Sequence, residues 1–226
     1  MNLLAHRLTI VTGHYGCGKT NLSINLALGA AQTGDFLRVA DFDIVNPYFR
    51  AADSRALLEA AGAEVLAPTY AGTNLDIPAL PPAFYALFED RSRRALLDVG
   101  GDDAGAAALG RFARLIREEN DYSLLYVVNA RRILTQTPED AVRVLREIEA
   151  AGHVPATGIV NNTNLGGETD TDVIRASLPF AREVSRLSGL PLLATAAPEA
   201  LAPRLADVPN LLPVRVYVTP PWGGAA

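Results

Sequence analysis

The sequence predicts an α/β chain in three layers: a doubly wound, mostly parallel sheet with helices on both faces. Three observations carry this. Strand-like and helix-like periodicities alternate from end to end, the pattern of βα units. Tyr122–Asn129 is almost continuously apolar, as a strand buried on both faces must be. The run Leu8-Thr9-Ile10-Val11 passes into a glycine-rich loop and then an apolar-periodic helix, so the first unit is strand, tight loop, helix. The chain has 226 residues, 49% of them hydrophobic. That suffices for one sizeable core, and residues 1–226 are read as a single domain.

The elements follow in order. Arg7–Thr12 reads as a strand. Lys19–Gln32 reads as a helix, with Leu22, Ile24, Leu26, Ala27 and Ala30 as its apolar positions and Thr33-Gly34 as its stop. Phe36–Phe42 is strand-like, Arg50–Ala61 is a helix closed by Gly62, and Ala63–Leu66 is a short strand. Pro68, Pro78, Pro81 and Pro82 make residues 67–82 a long irregular loop. Ala83–Asp90 reads as a helix, Ala95–Val99 as a strand and Ala104–Glu119 as one helix. After the strand at Tyr122–Asn129, Thr137 caps a helix with Pro138 at its first position, running to about Ala151. Ala156–Asn161 is a strand, Thr171–Leu187 a helix and Pro191–Ala194 a strand. A short helix, Pro198–Leu205, and a last strand, Leu212–Val218, finish the pattern.

Composition narrows the function. A net charge of −5 argues against a broad nucleic-acid surface. A lone cysteine, Cys17, excludes an internal disulfide and a four-cysteine metal site in one chain. The three histidines lack ligand spacing. No run approaches the roughly 18 apolar residues of a membrane span, and residues 1–12 lack a signal-peptide pattern. A cytoplasmic protein without membrane attachment is the expectation.

Residues 13–20 read Gly-His-Tyr-Gly-Cys-Gly-Lys-Thr, the spacing of a phosphate-binding loop between strand and helix. Gly13, Gly16 and Gly18 allow positive φ, which turns backbone N–H groups inward. The following helix adds its positive end. Lys19 supplies a full charge to the β/γ phosphates and the Thr20 hydroxyl is a Mg²⁺ ligand. The expected nucleotide site therefore comprises Gly13, His14, Tyr15, Gly16, Cys17, Gly18, Lys19, Thr20 and Asn21, in a P-loop NTPase fold. Cys17 reads as a small residue in a tight loop rather than an activated thiol.

Acidic residues follow at later strand ends. Asp41-Phe42-Asp43 closes the second strand. The reading favoured here has Asp41 capping a turn and Asp43 facing the ligand, in catalysis with Lys19 and in the metal shell. Asp98 ends the strand Ala95–Val99 and is followed by Gly100-Gly101. Its carboxylate suits Mg²⁺, held directly or through water, while the glycines let the loop respond to the γ-phosphate. Asn161-Asn162-Thr163-Asn164 follows another strand, and Asn161 or Asn162 can hydrogen-bond a purine edge. No aspartate is present there to accept from guanine N1 and N2, which favours adenine. Arg131 and Arg132 read either as a cation for transition-state charge, in cis or across a dimer, or as a solvated pair, and the solvated pair is the preferred reading. Asn46-Pro47-Tyr48-Phe49-Arg50 suits a second ligand or protein partner, or core packing by its aromatics.

The order and spacing of Gly13–Thr20, Phe36–Asp43 and Leu96–Asp102 resemble the SIMIBI class of P-loop NTPases. The nearest branch holds the ParA/MinD ATPases and the cobyrinic acid a,c-diamide synthase and dethiobiotin synthetase enzymes. The resemblance implies ATP and Mg²⁺ as cofactors. It places a water-orienting carboxylate at Asp43, Mg²⁺ support at Asp98, and purine contacts at Asn161 or Asn162 and at Pro198. One departure stands out: the ParA/MinD branch has a second lysine directly after the first loop glycine, and here that residue is His14. A homodimer sandwiching nucleotide is left open for that reason. The leading expectation is a Mg-dependent ATPase coupled to a conformational switch or to maturation of a partner. The alternatives are an ATP-dependent synthase or kinase acting on a small carboxylate, and a GTPase metallochaperone.

Overall fold

The computed structural model describes residues 2–35, 37–42, 54–67, 84–101 and 103–218. Its strands are β1 (Leu8–Thr12), β2 (Arg38–Phe42), β3 (Glu64–Leu66), β4 (Ala95–Val99), β5 (Tyr122–Val128), β6 (Gly158–Asn161), β7 (Leu192–Pro198) and β8 (Leu211–Val214). Its helices are α1 (Lys19–Gln32), α2 (Arg55–Ala60), α3 (Ala86–Glu89), α4 (Asp103–Gly110), α5 (Ala113–Glu119), α6 (Pro138–Gly152) and α7 (Thr171–Ser188). The eight strands form one sheet in the order β3-β2-β4-β1-β5-β6-β7-β8. Each described pairing is parallel, so the expected α/β, doubly wound architecture is present.

Alternate strand residues divide between two cores, as period-two geometry requires. Leu97 and Val99 of β4, with Leu124, Tyr126 and Val128 of β5, join Phe112, Leu145, Ile148 and Val184 on one face. Leu96, Leu125 and Val127 turn to the other face, against Leu22, Leu26 and Leu58 of α1 and α2. Tyr126 anchors β5 to α6: its hydroxyl donates to the Ala141 carbonyl at 2.7 Å, and burial pushes its pKa far up. Thr137 caps α6 as read from the sequence, its Oγ1 accepting from Asp140 N at 3.1 Å.

Several boundaries differ from expectation, each for a local reason. Ala104–Glu119 is not one helix but α4 and α5. At Gly110 a Cβ would stand 2.9 Å from the Ala151 carbonyl of α6, so only glycine admits that approach. The chain then turns tightly, with Phe112 N–H donating to Leu109 O at 2.9 Å. The break aims Phe112 into an aromatic cluster: Phe42 at 5.6 Å edge-on, Phe88 at 5.1 Å stacked and Tyr85 at 4.9 Å tilted. β7 runs on to Pro198 because β8 pairs with Thr195 through Pro198. The last strand stops at Val214, not Val218, since β7 has no further residues to offer. Residues after Val214 pair instead with α1: Asn25 Oδ1 accepts from Arg215 N at 2.8 Å, and Asn21 Oδ1 from Tyr217 N at 2.8 Å. α1 thus packs its apolar residues Leu22, Leu26 and Ala30 into the core and meets this segment through the polar side chains of Asn21 and Asn25. Of the expected helix Arg50–Ala61, the described part is α2; of the expected loop 67–82, only Ala67 lies within the described residues. Pro198–Leu205 is a 3₁₀ helix over Glu199–Leu205.

Phe112 is fully buried at the hub of this cluster. Phe112→Ala should therefore lower unfolding free energy by about 3–5 kcal/mol. Urea denaturation followed by circular dichroism checks this, and a loss below about 1 kcal/mol would contradict the packing described.

Candidate functional site

The described residues of the expected site lie in the loop and helix that follow β1 or at the carboxyl ends of β4, β6 and β7, the edge where ligands of such sheets bind. β1 is flanked by β4 and β5, and its loop leaves Thr12 under tight constraint. A Cβ on Gly13 would fall 2.3 Å from the Val127 carbonyl of β5. The loop then delivers Lys19 as the first residue of α1, buried to 6% exposure. Its Nζ donates to the His14 carbonyl at 3.3 Å, so the side chain already curls back over the loop. His14 Nδ1 lies 3.0 Å from the Tyr15 carbonyl.

The loop after β4 closes over this cradle. A Cβ at Gly101 would stand 2.6 Å from Lys19 Nζ, 2.6 Å from Tyr15 N and 2.4 Å from Gly13 O. Gly101 is therefore in direct reach of the loop's donors, consistent with a strand-end segment that answers to what the loop holds.

Carboxylates converge from the two neighbouring strands. Asp41 and Asp98 are register partners across β2 and β4, both essentially buried. Strand alternation sets them on the face covered by α1, with Val39 and Leu96. Ser23, one turn beyond Thr20 on α1, donates its hydroxyl to Asp98 Oδ1 at 2.9 Å. This corrects the sequence reading of Asp41 as a turn cap: it lies inside β2, beside Asp98. The hydroxyl of Thr20 and the carboxylate of Asp98 are hard oxygen donors, the chemistry Mg²⁺ prefers. Magnesium takes few protein ligands and completes its shell with phosphate and water. Asp43 and Asn46–Arg50 lie outside the described residues.

The asparagines after β6 have divided roles. Asn161 is fully buried; its Nδ2 donates to Ser177 Oγ at 2.8 Å, and its Oδ1 accepts from Thr163 N and Oγ1 at 3.2 and 2.8 Å. Both amide atoms are thus engaged internally. Asn162 Nδ2 donates to the Cys17 carbonyl at 2.7 Å, bracing the phosphate loop from β6. Gly18, at φ +87°, lies under this amide, and a Cβ there would sit 2.3 Å from Asn162 Nδ2. Asn164 serves its own turn, donating to Asn162 O and accepting from Gly166 N. Asn21, expected in the nucleotide site, holds the segment after β8 through Arg215 O at 2.9 Å and Tyr217 N. Pro198 ends β7 beside Glu199, which pairs with Arg215; that guanidinium holds the Glu199 carboxyl below its usual range.

Sequence reasoning missed Ser23, for which a serine on the helix three residues after the loop threonine was the available signal. Arg131 and Arg132 are both solvent-exposed. Arg132 lies against the loop at Gly16. A cavity of about 260 Å³ also borders the loop, between His14, Tyr15, Gly101 and α6 residues Val144, Glu147 and Ile148.

Comparison with solved structures gives the same fold. The cell division protein FtsY of Thermotoga maritima aligns with a TM-score of 0.54 at 20% identity, over 84% of this chain and 61% of that one. The 54 kDa signal recognition particle protein of Aeropyrum pernix, solved with GDP, gives 0.54 at 14% identity over 86% and 43%. FtsY of Elizabethkingia anophelis, also with GDP, gives 0.53 at 16% over 84% and 56%. The likeness is one of fold, a parallel α/β sheet flanked by helices as expected, and is not specific to the ParA/MinD branch. The chain spans about 60% or less of the length of these neighbours. No family model and no curated protein matches the sequence. No helix among the described residues is long and apolar enough to cross a membrane.

Cys17 is fully buried in the loop. Burial pushes its thiol up, outweighing the nearby cations Lys19 and Arg132, which pull it down. Iodoacetamide should accordingly label the native protein much more slowly than the urea-unfolded one, as read by mass spectrometry; equal rates would show an exposed thiolate.

Proposed function

We propose that this protein is a magnesium-dependent ATPase of the P-loop type, whose hydrolysis is coupled to movement of the loop after β4. One observation carries the reading: the Gly13–Thr20 loop, Lys19 Nζ and Gly101 converge on one cradle, with the Ser23–Asp98 pair beside it. Backbone N–H groups and Lys19 bind the phosphate chain. Magnesium held at this site would supply positive charge against that developing on the phosphates during transfer. Thr20 and Asp98 hold that ion, and Ser23 fixes the Asp98 carboxylate. Gly101, with no side chain to obstruct it, offers its backbone to the terminal phosphate and couples occupancy to the start of α4. Asp43 orients the attacking water, by resemblance to related loops.

The preference for adenine rests on Asn162. Its NH₂ is committed to Cys17 O, so the remaining Oδ1 can only accept. Adenine offers an N6 amine to such an acceptor, and the aspartate that would pair with both the N1 and N2 donors of guanine is missing after β6. The GDP seen in two structural neighbours is the competing indication. The cavity beside His14 and Gly101 favours a second reading, in which a small acceptor bound there takes the phosphoryl group. Turnover that requires an added carboxylate substrate would favour this reading over hydrolysis.

Calorimetry with MgATP should show Lys19→Ala weakening binding by about a hundredfold, since a charged donor to phosphate is lost. Asp43→Ala should bind normally while hydrolysis slows, measured as phosphate release. Unchanged affinity in the first variant or unchanged turnover in the second would refute the corresponding role. In competition on the wild-type protein, GTP should displace ATP at least about tenfold less effectively, and equal displacement would overturn the Asn162 argument.

A further inference from the structure

The phosphate loop carries a single cation of its own, Lys19, because the position after Gly13 is His14. A second cation reaches it from elsewhere in the chain. β5 ends at Val128, and the turn that follows is held from several sides. Asn129 O accepts from Arg132 N at 3.2 Å and Thr135 Oγ1 at 3.1 Å. Asn129 Oδ1 accepts from Arg131 N at 2.9 Å, and Thr163 Oγ1 accepts from Ala130 N at 3.1 Å. The turn is therefore closed on itself and fixed to the loop after β6, and the base of Arg132 is fixed with it.

From this turn the Arg132 side chain lies along the loop. Its Nε, Cζ and Cδ stand 3.4, 3.5 and 3.7 Å from where a Cβ on Gly16 would be. Eleven other arginines form ion pairs: Arg7, Arg38, Arg55, Arg93, Arg94, Arg114, Arg143, Arg146, Arg175, Arg186 and Arg215. Arg132, solvent-exposed, forms neither an ion pair nor a side-chain hydrogen bond with any described residue; the same holds for Arg91, Arg111, Arg117, Arg131 and Arg182, and what sets Arg132 apart is its place against Gly16 of the loop. An unpaired guanidinium has thus been brought beside the N-terminus of α1 and Lys19, where the local potential is already positive. The buried Nδ2 of Asn129, at the root of the same turn, also has no partner. Like charges gathered in one place, with donors left over, are the complement of a polyanion.

We propose that Arg132 is a phosphate-binding residue of this site, supplying in cis a second cation to the nucleotide's phosphate chain. This rests on the nucleotide reading above and deepens it. A guanidinium suits the task because its planar fork grips phosphate oxygens in pairs and stays charged at any physiological pH. It also removes any need for a partner subunit to supply that charge.

The test compares MgATP affinity by calorimetry in wild type, Arg132→Gln, Arg132→Lys and Arg131→Gln, with Lys19→Ala alongside. Thermal melts confirm that each variant folds. Arg132→Gln should weaken ATP about tenfold and flatten the salt dependence of binding, while Arg132→Lys retains part of the affinity and Arg131→Gln stays within about twofold of wild type. If Arg132→Gln binds ATP like wild type while Lys19→Ala does not, the nucleotide site stands and this proposal falls. If Arg132→Lys is as weak as Arg132→Gln and the salt dependence of both matches wild type, the side chain only packs the loop and the proposal also falls. If wild type binds no nucleotide with magnesium present, the functional reading fails first.

Discussion

The contact on which the rest depends is the close seating of a bare backbone loop between the ends of three strands. Gly13 rests on the Val127 carbonyl of β5, Asn162 just after β6 holds the Cys17 carbonyl, and Gly101 after β4 overlies the loop. Each contact leaves no room for a Cβ. The loop's shape is thus imposed by its surroundings as well as by its own glycines. A phosphate cradle needs such external bracing, because N–H groups turned inward give up the hydrogen bonds that would otherwise stabilise a loop. A preformed cradle also avoids the cost of ordering the loop when a ligand arrives.

The parallel sheet makes the bracing possible. Crossovers bring β4 and β5 to either side of β1 although they are distant in sequence, so three strand ends open at one edge. The two cores fix that edge from above and below. The aromatic cluster around Phe112 secures the far face behind β2 and β4, where Asp41 and Asp98 sit side by side on the opposite surface.

Much of this was legible in the sequence, and the failures are instructive. β1, α1, β4 and α6 fell within a residue or so of their expected bounds, because strand runs, caps and the loop motif are local signals. The break between α4 and α5 was not, since Gly110 is forced by the approach of Ala151, forty residues away in the chain. Asp41 was misread because a sequence cannot tell a strand's last turn from its interior without its partner strand. The asparagines after β6 were recognised as important, but the division of labour between them was not: Asn161 looks inward to Ser177, and Asn162 to the loop.

Arg215 links two parts of the nucleotide edge that lie far apart in the chain. Its main chain is clasped by Asn21 and Asn25 of α1, the helix that issues from the phosphate loop. Its side chain grips Glu199, just past the end of β7. One residue therefore acts as a tether, main chain to one element and side chain to another. If α1 shifts when its N-terminus engages an anion, Arg215 must either travel with it, dragging on the β7 terminus, or surrender the amide clasp. A displacement of α1 would in this way be felt at the carboxyl end of β7.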